Sequence, residues 1–327
     1  MTQNIPLAIV LGVIASLCFA TGATFQHDGI GKQFDESAES RTLTLKRVLS
    51  MVRNKHWLFG TAMILIGALL HLIGVNMAPV TVIQPVGILA VPFAVLLAAR
   101  KNRTRPTRMM LVSIAIAVIG IVAFTWFSAS SAATDTILDG RMILIASLLV
   151  FAVAAVFAVL GAKGPLGARC LAWATSGALI YGLATALMKT TLVAWERSDH
   201  LPITHFWANL AGCLACYAIG AWAIQQAYAS GPAEIVVGCM TTIDPLTAVA
   251  FGLLVLGEGA NIDLTAGIGM VVMGLLSALG VVLLSKYHPD AARAYEQAEA
   301  NRLRNQSSGG PGATDTPEQP SQEGSTR

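Results

Sequence analysis

Between Ile5 and Ser285 the sequence is a succession of long apolar runs separated by short polar connections. A helix needs roughly 20 apolar residues to cross the roughly 30 Å hydrocarbon core of a bilayer. Nine runs reach about that length: 5–25, 57–76, 79–99, 109–127, 142–162, 168–190, 203–228, 232–256 and 264–285. Within a bilayer every backbone N–H and C=O must be satisfied by the protein, which leaves helices and closed barrels. The runs are continuous and do not alternate, so a barrel is excluded. Charged residues make up 12% of the chain, against roughly 25% in a soluble domain. The expected fold is an all-α, polytopic membrane protein with nine transmembrane helices.

The charges orient those spans. Loops 26–55 and 100–108, the turn 163–169 and the tail after Ser285 all fall on one side of a nine-span chain. Only Arg141, Lys189 and Arg197 of the 21 Lys and Arg lie elsewhere. Cytoplasmic loops carry the excess of basic residues. The chain is therefore expected to be multi-pass in the plasma (inner) membrane, with the N-terminus outside and the C-terminus in the cytoplasm. Reporter fusions after Arg103 and Lys286 should read cytoplasmic, and fusions near Ala133 and Asp199 external. A cytoplasmic signal at Ala133 would overturn the nine-span count. The N-terminal MTQNIPLAIV lacks a basic segment and reads as the start of a helix, not a cleaved signal. The second half of loop 26–55 is read as a solvated basic loop, with a surface amphipathic helix as the alternative. The tail 305–327 is polar, low in complexity and expected to be disordered.

The chain also repeats itself. The interval from Pro79 to Pro92 equals that from Pro232 to Pro245, and each pair opens after a helix ending in a small polar turn. LCFATGATFQH in span 1 matches LIYGLATALMK in span 6, aligning Phe19 with Tyr181 and His27 with Lys189. Spans 1–4 thus match spans 6–9, with span 5 as a connector. Matching spans lie five apart, so the two four-helix repeats are inverted, a common design of secondary transporters. The domain division is 1–128 for the first repeat, 129–166 for the connector, 167–288 for the second repeat and 289–327 for the tail.

Asp244 is the main candidate for chemistry. It lies about 18 Å along the helix from Pro232 and from Leu256, at about 1.5 Å per residue, and so near mid-bilayer. A carboxylate there is costly, and such acids usually line a cavity or pathway. Pro245 has no N–H to return to the Thr241 carbonyl, which frees that oxygen at the same depth. The other reading of Asp244 is a packing acid held by Thr241, Thr242 or backbone. Thr81 and Gln84 offer polar groups from the matching half. His71 in span 2 and Gln225 and Gln226 in span 7 sit at similar depths, with packing as the alternative. Thr21, Thr24 and Gln26 in span 1 and Tyr181 and Thr185 in span 6 form two further polar faces, separated by small residues that permit close helix approach. Cys213 and Cys216 share CxxC spacing but lie on an apolar helix. With Cys18, Cys170 and Cys239 they read as small packing residues and not as a metal or redox site. His27, Asp28, Lys189 and Glu258 sit at helix ends and read as solvated anchors.

Ala229-Ser230-Gly231-Pro232, the mid-helix Pro245, Leu256-Gly257-Glu258, Gly274 and Lys189 together resemble the pattern of the drug/metabolite transporter superfamily. Within it, HLIGVNMAPVTVIQPVG is similar to the nine-span NIPA-like magnesium-transporter branch, whereas the EamA-like branch normally has ten spans. The resemblance covers nearly all of 1–288. Asp244 departs from the pattern, which has a small or apolar residue before that proline.

The resemblance and the repeat imply a secondary transporter of a small solute working by alternating access. A Mg²⁺ or divalent-cation transporter and a non-transporting scaffold of envelope assembly are the alternatives. No phosphate loop or nucleophile–base pair appears, so no enzyme activity, metal site or cofactor is expected. The expected partners are a small-molecule or ion substrate, the lipid bilayer and, as one option, a second copy in a homodimer. The basic loops are explained by topology without nucleic acid.

Overall fold

The computed structural model describes residues 4–31, 51–77, 86–103, 105–131, 138–196, 203–258 and 262–287. These form α1 (Ile5–Gly31), α2 (Lys55–Met77), α3 (Ala90–Asn102), α4 (Arg108–Ser131), α5 (Gly140–Lys163), α6 (Leu166–Glu196), α7 (Ile203–Ser230), α8 (Ala233–Val255) and α9 (Leu264–Tyr287). Among the described residues there is no strand, and eight of these helices are long and apolar enough to cross a membrane. The chain is a multi-pass helical membrane protein. Most of loop 26–55 and the tail lie outside the described residues.

Polar residues at the run boundaries start the helices. Asn4 accepts from the Leu7 N–H, Asn54 from His56, Asp139 from Arg141 and Met142, and Asp263 from Ala266. Each satisfies N–H groups that the first turn leaves without partners. Pro232 sits immediately before α8, where its missing N–H removes no helix bond.

The third expected span differs from the sequence reading of one helix over 79–99. Residues 86 and 87 are helical and 88–89 form a turn, with Leu89 N–H to Val86 O at 3.1 Å, before α3 begins at Ala90. Pro92 is therefore a first-turn proline, while Pro245 lies inside α8. The two prolines match in sequence, but only Pro245 interrupts a helical ladder.

The helix pairing repeats. α1 packs on α2 and α3 as α6 packs on α7 and α8, while α4 and α9 pair with each other. The contacts repeat in detail. A β-carbon on Gly67 would lie 3.0 Å from the Ala15 carbonyl oxygen and 3.1 Å from the Phe19 ring; one on Gly220 would lie 3.4 Å from both the Gly177 oxygen and the Tyr181 ring. Seven residues earlier on each helix, Gly60 meets the Gly22 carbonyl and Cys213 Sγ lies 3.4 Å from the Ala184 oxygen. Phe19 and Tyr181, aligned by sequence, thus occupy corresponding places.

α6 is the most enclosed helix and α5 the least: 78% of the membrane-length window of α6 is buried, against 11% for α5. α5 lies on the flank of α6, where Trp173 covers Gly161 and the Ser176 hydroxyl donates to the Ala154 carbonyl at 2.9 Å. Its outer face, with Leu144, Leu148, Leu149 and Val156, is exposed and apolar, as a lipid-facing surface should be. α6 therefore forms the spine against which α7 and α8 set the candidate site.

Candidate functional site

Asp244 lies midway along α8, immediately before Pro245. α6 comes closest to α8 at this level. A β-carbon on Gly182 would sit 2.5 Å from the Asp244 carbonyl oxygen and 2.6 Å from Thr247 Cβ. Only glycine allows the two backbones this approach. One turn further along α6, the Thr185 hydroxyl lies 3.5 Å from Asp244 Oδ1 and 3.1 Å from the Tyr181 carbonyl. A hydroxyl has one proton to give, and the shorter contact is the one inside its own helix. Good O–H···O bonds span about 2.5–3.0 Å, so the carboxylate holds no strong donor from the described residues.

Tyr217 of α7 completes the group. Its ring is 5.7 Å from that of Tyr181, and it lies within electrostatic reach of Asp244. Thr185 and Tyr217 are both exposed. They thus place exposed polar groups at mid-helix depth near a half-buried carboxylate.

The other candidates are distributed differently. The Thr241 hydroxyl donates to its own helix, at 2.9 Å from the Val237 oxygen. Thr242 is buried, its hydroxyl 3.2 Å from that of Ser277, in the α4–α9 seam where Ser277 donates to the Ala117 carbonyl at 2.9 Å. Thr21 is half-buried on α1. His71 packs edge-on against Phe19 and beside Gly87, and its buried Nδ1 has no hydrogen-bond partner. Thr81 and Gln84 lie outside the described residues.

Gln225 sits in a polar chain at the end of the bundle that carries the basic loops. Trp57 Nε1 donates to Gln225 Oε1 at 2.9 Å, Gln225 Nε2 to Gln26 Oε1 at 3.2 Å, and Gln26 Nε2 to Thr61 at 2.9 Å. His27 Nδ1 lies 2.9 Å from the Tyr228 carbonyl oxygen nearby. These bonds join α1 and α2 to α7, and so one repeat to the other. Asp28 pairs with Lys101, and Lys189 with Glu258 at 2.6 Å. These residues, read from sequence as solvated helix-end anchors, instead clasp neighbouring helices. Partly exposed pairs of this kind contribute about 0–1 kcal/mol each.

Sequence reasoning missed Tyr217 and Trp57. Tyr217 is a tyrosine in the middle of an apolar span, which is a signal, but only the packing of α7 on α6 shows that it faces Thr185. Among the described residues no group of three or more His, Cys, Asp or Glu converges as a metal cluster.

No family model matches the chain, and no solved structure matches it. Its sequence is similar to that of the probable magnesium transporter NIPA9 of Arabidopsis thaliana: the two are 24% identical over 287 residues, covering 82% of this chain and 81% of that protein.

Proposed function

We propose that this protein is a membrane carrier of a divalent cation, Mg²⁺ being the substrate, and that the ion passes Asp244. The carrying observation is a weakly satisfied carboxylate at mid-helix beside a helix-interrupting proline, with the exposed Thr185 hydroxyl 3.5 Å from it. The similarity to a probable magnesium transporter over most of both chains favours the ion over a generic small solute. Mg²⁺ takes oxygen ligands, commonly one or two carboxylates, and keeps several waters. Asp244 supplies the charge, with Thr185 and Tyr217 beside it. The repeated pairing of α1–α3 and α6–α8 suits alternating access between two inverted halves in the inner membrane. The polar chain through Gln26, Trp57 and Gln225 holds the two halves together at the basic end.

A second reading has its own observation. Tyr181 and Tyr217 set two aromatic rings near the one carboxylate, and such rings favour an organic ammonium. Purified protein in liposomes containing a Mg²⁺ indicator separates the two. The ion reading expects Mg²⁺ entry that excess methylammonium leaves unchanged. Methylammonium uptake without Mg²⁺ entry would replace it.

A further inference from the structure

We propose that the Asp244 site takes its divalent cation with the inner hydration shell in place, binding the ion's waters through Asp244, Thr185 and Tyr217. This rests on the divalent-cation reading above and names the form in which the ion is recognised.

The first ground is charge. Asp244 is the one acid placed at the middle of an apolar span. Glu234 lies in the first turn of α8, and Asp28, Asp139, Glu258 and Asp263 lie at or beyond helix ends. The segment 78–85, outside the described residues, contains no Asp, Glu, His or Cys. A stripped Mg²⁺ beside Asp244 would thus meet one carboxylate and carry an uncompensated charge in a medium that penalises it heavily. Mg²⁺ gives up its waters reluctantly. Keeping them spreads the charge over a larger sphere.

The second ground is geometry. Two neighbouring oxygens on an octahedral Mg²⁺ lie about 2.9 Å apart, given bonds of about 2.05 Å. Thr185 Oγ1 and Asp244 Oδ1 are 3.5 Å apart. That is about 0.6 Å wider than two direct ligands in adjacent positions would sit. The remaining groups suit water better than a bare ion. Hydroxyls both donate and accept, so Thr185 and Tyr217 can meet water oxygens or hydrogens, while the Tyr181 and Tyr217 rings are poor ligands for a hard cation. Thr185, 3.5 Å from the carboxylate, is also exposed.

Cobalt(III) hexaammine tests this directly. It has the shape of a hexahydrated divalent ion, and its ammine ligands do not exchange. With the full-length protein in liposomes, it should inhibit Mg²⁺ entry competitively, at a concentration within about tenfold of the Mg²⁺ half-saturation, a difference of about 1.4 kcal/mol. Thr185→Val and Tyr217→Phe should each raise the Mg²⁺ half-saturation and the hexaammine inhibition constant together, by roughly threefold to tenfold, a hydrogen bond's share. Thr185→Ser, which keeps the hydroxyl, should behave as the wild type. Mg²⁺ entry untouched by hexaammine, or inhibition that Mg²⁺ does not relieve, would overturn the hydrated-ion proposal and leave the carrier reading standing. Absence of Mg²⁺ entry in the wild type would overturn both.

Discussion

Asp244→Asn is expected to reach the membrane at wild-type abundance and to abolish Mg²⁺-dependent growth in a strain that relies on this protein for the ion. The side chain keeps its shape, and the neighbouring bond is a 3.5 Å contact from Thr185, so little packing or hydrogen bonding is lost. What is lost is the charge. Hydrogen bonds to charged groups are worth about 1.5–3 kcal/mol, and roughly tenfold in affinity follows from each 1.4 kcal/mol. A drop in flux of one to two orders of magnitude is therefore the expected scale. Asp244→Glu keeps the charge but lengthens the side chain, and should retain part of the activity. If Asp244 only packs, both variants will grow as the wild type, and the weight passes to Gln84 and the polar faces of α1 and α6. If the carboxylate couples protons without touching the ion, Asp244→Asn will lose gradient-driven accumulation but keep exchange.

The second large effect is steric. Gly182→Val should prevent the close seating of α6 on α8 and lower both stability and transport. Its new β-carbon would lie 2.5 Å from the Asp244 carbonyl oxygen and 2.6 Å from Thr247 Cβ. Neither is the end of a flexible side chain, so a helix must move. Overpacking of this kind costs about 1–3 kcal/mol, and more where backbone must shift. The midpoint of thermal aggregation in detergent should fall, and flux should fall further than abundance because the displaced helix carries the carboxylate. Gly212→Ala is the control: a β-carbon there would meet only Leu187 Cδ1, at 3.4 Å. Equal behaviour of the two variants would contradict the close packing of α6 on α8.

Much of the fold was legible because a bilayer leaves the backbone few options. Eight of the nine spans read from apolar runs are helices long enough to cross. The caps at Asn4, Asp139 and Asp263 were available as polar residues just outside those runs. The pairing of Phe19 with Tyr181 reappears as a pair of matched glycine contacts. The break at 88–89 was not legible, because Pro79–Ala99 is as apolar as its neighbours and hydropathy cannot see where a helix starts inside a run. Asp244 stood out because a mid-span acid is rare and costly. Its surroundings did not stand out. Thr185 was grouped with Tyr181 as a face of α6 and meets Asp244 only through the glycine-mediated approach of α6 to α8, while Tyr217 went unnoticed because it reaches this region only through the packing of α7 on α6. Gln225 was visible as a buried polar group, but its partners Trp57 and Gln26 lie on other helices, and sequence spacing does not encode that contact.

The proposed route takes the ion past Asp244. Exchange of isotopic Mg²⁺ across liposomes tests it most directly, with purified wild type and Asp244→Asn incorporated to equal amounts. Exchange needs no gradient and no coupling ion, so it reports passage alone. The wild type is expected to exchange, and Asp244→Asn to exchange one to two orders of magnitude more slowly. Equal exchange by the two proteins would contradict the route.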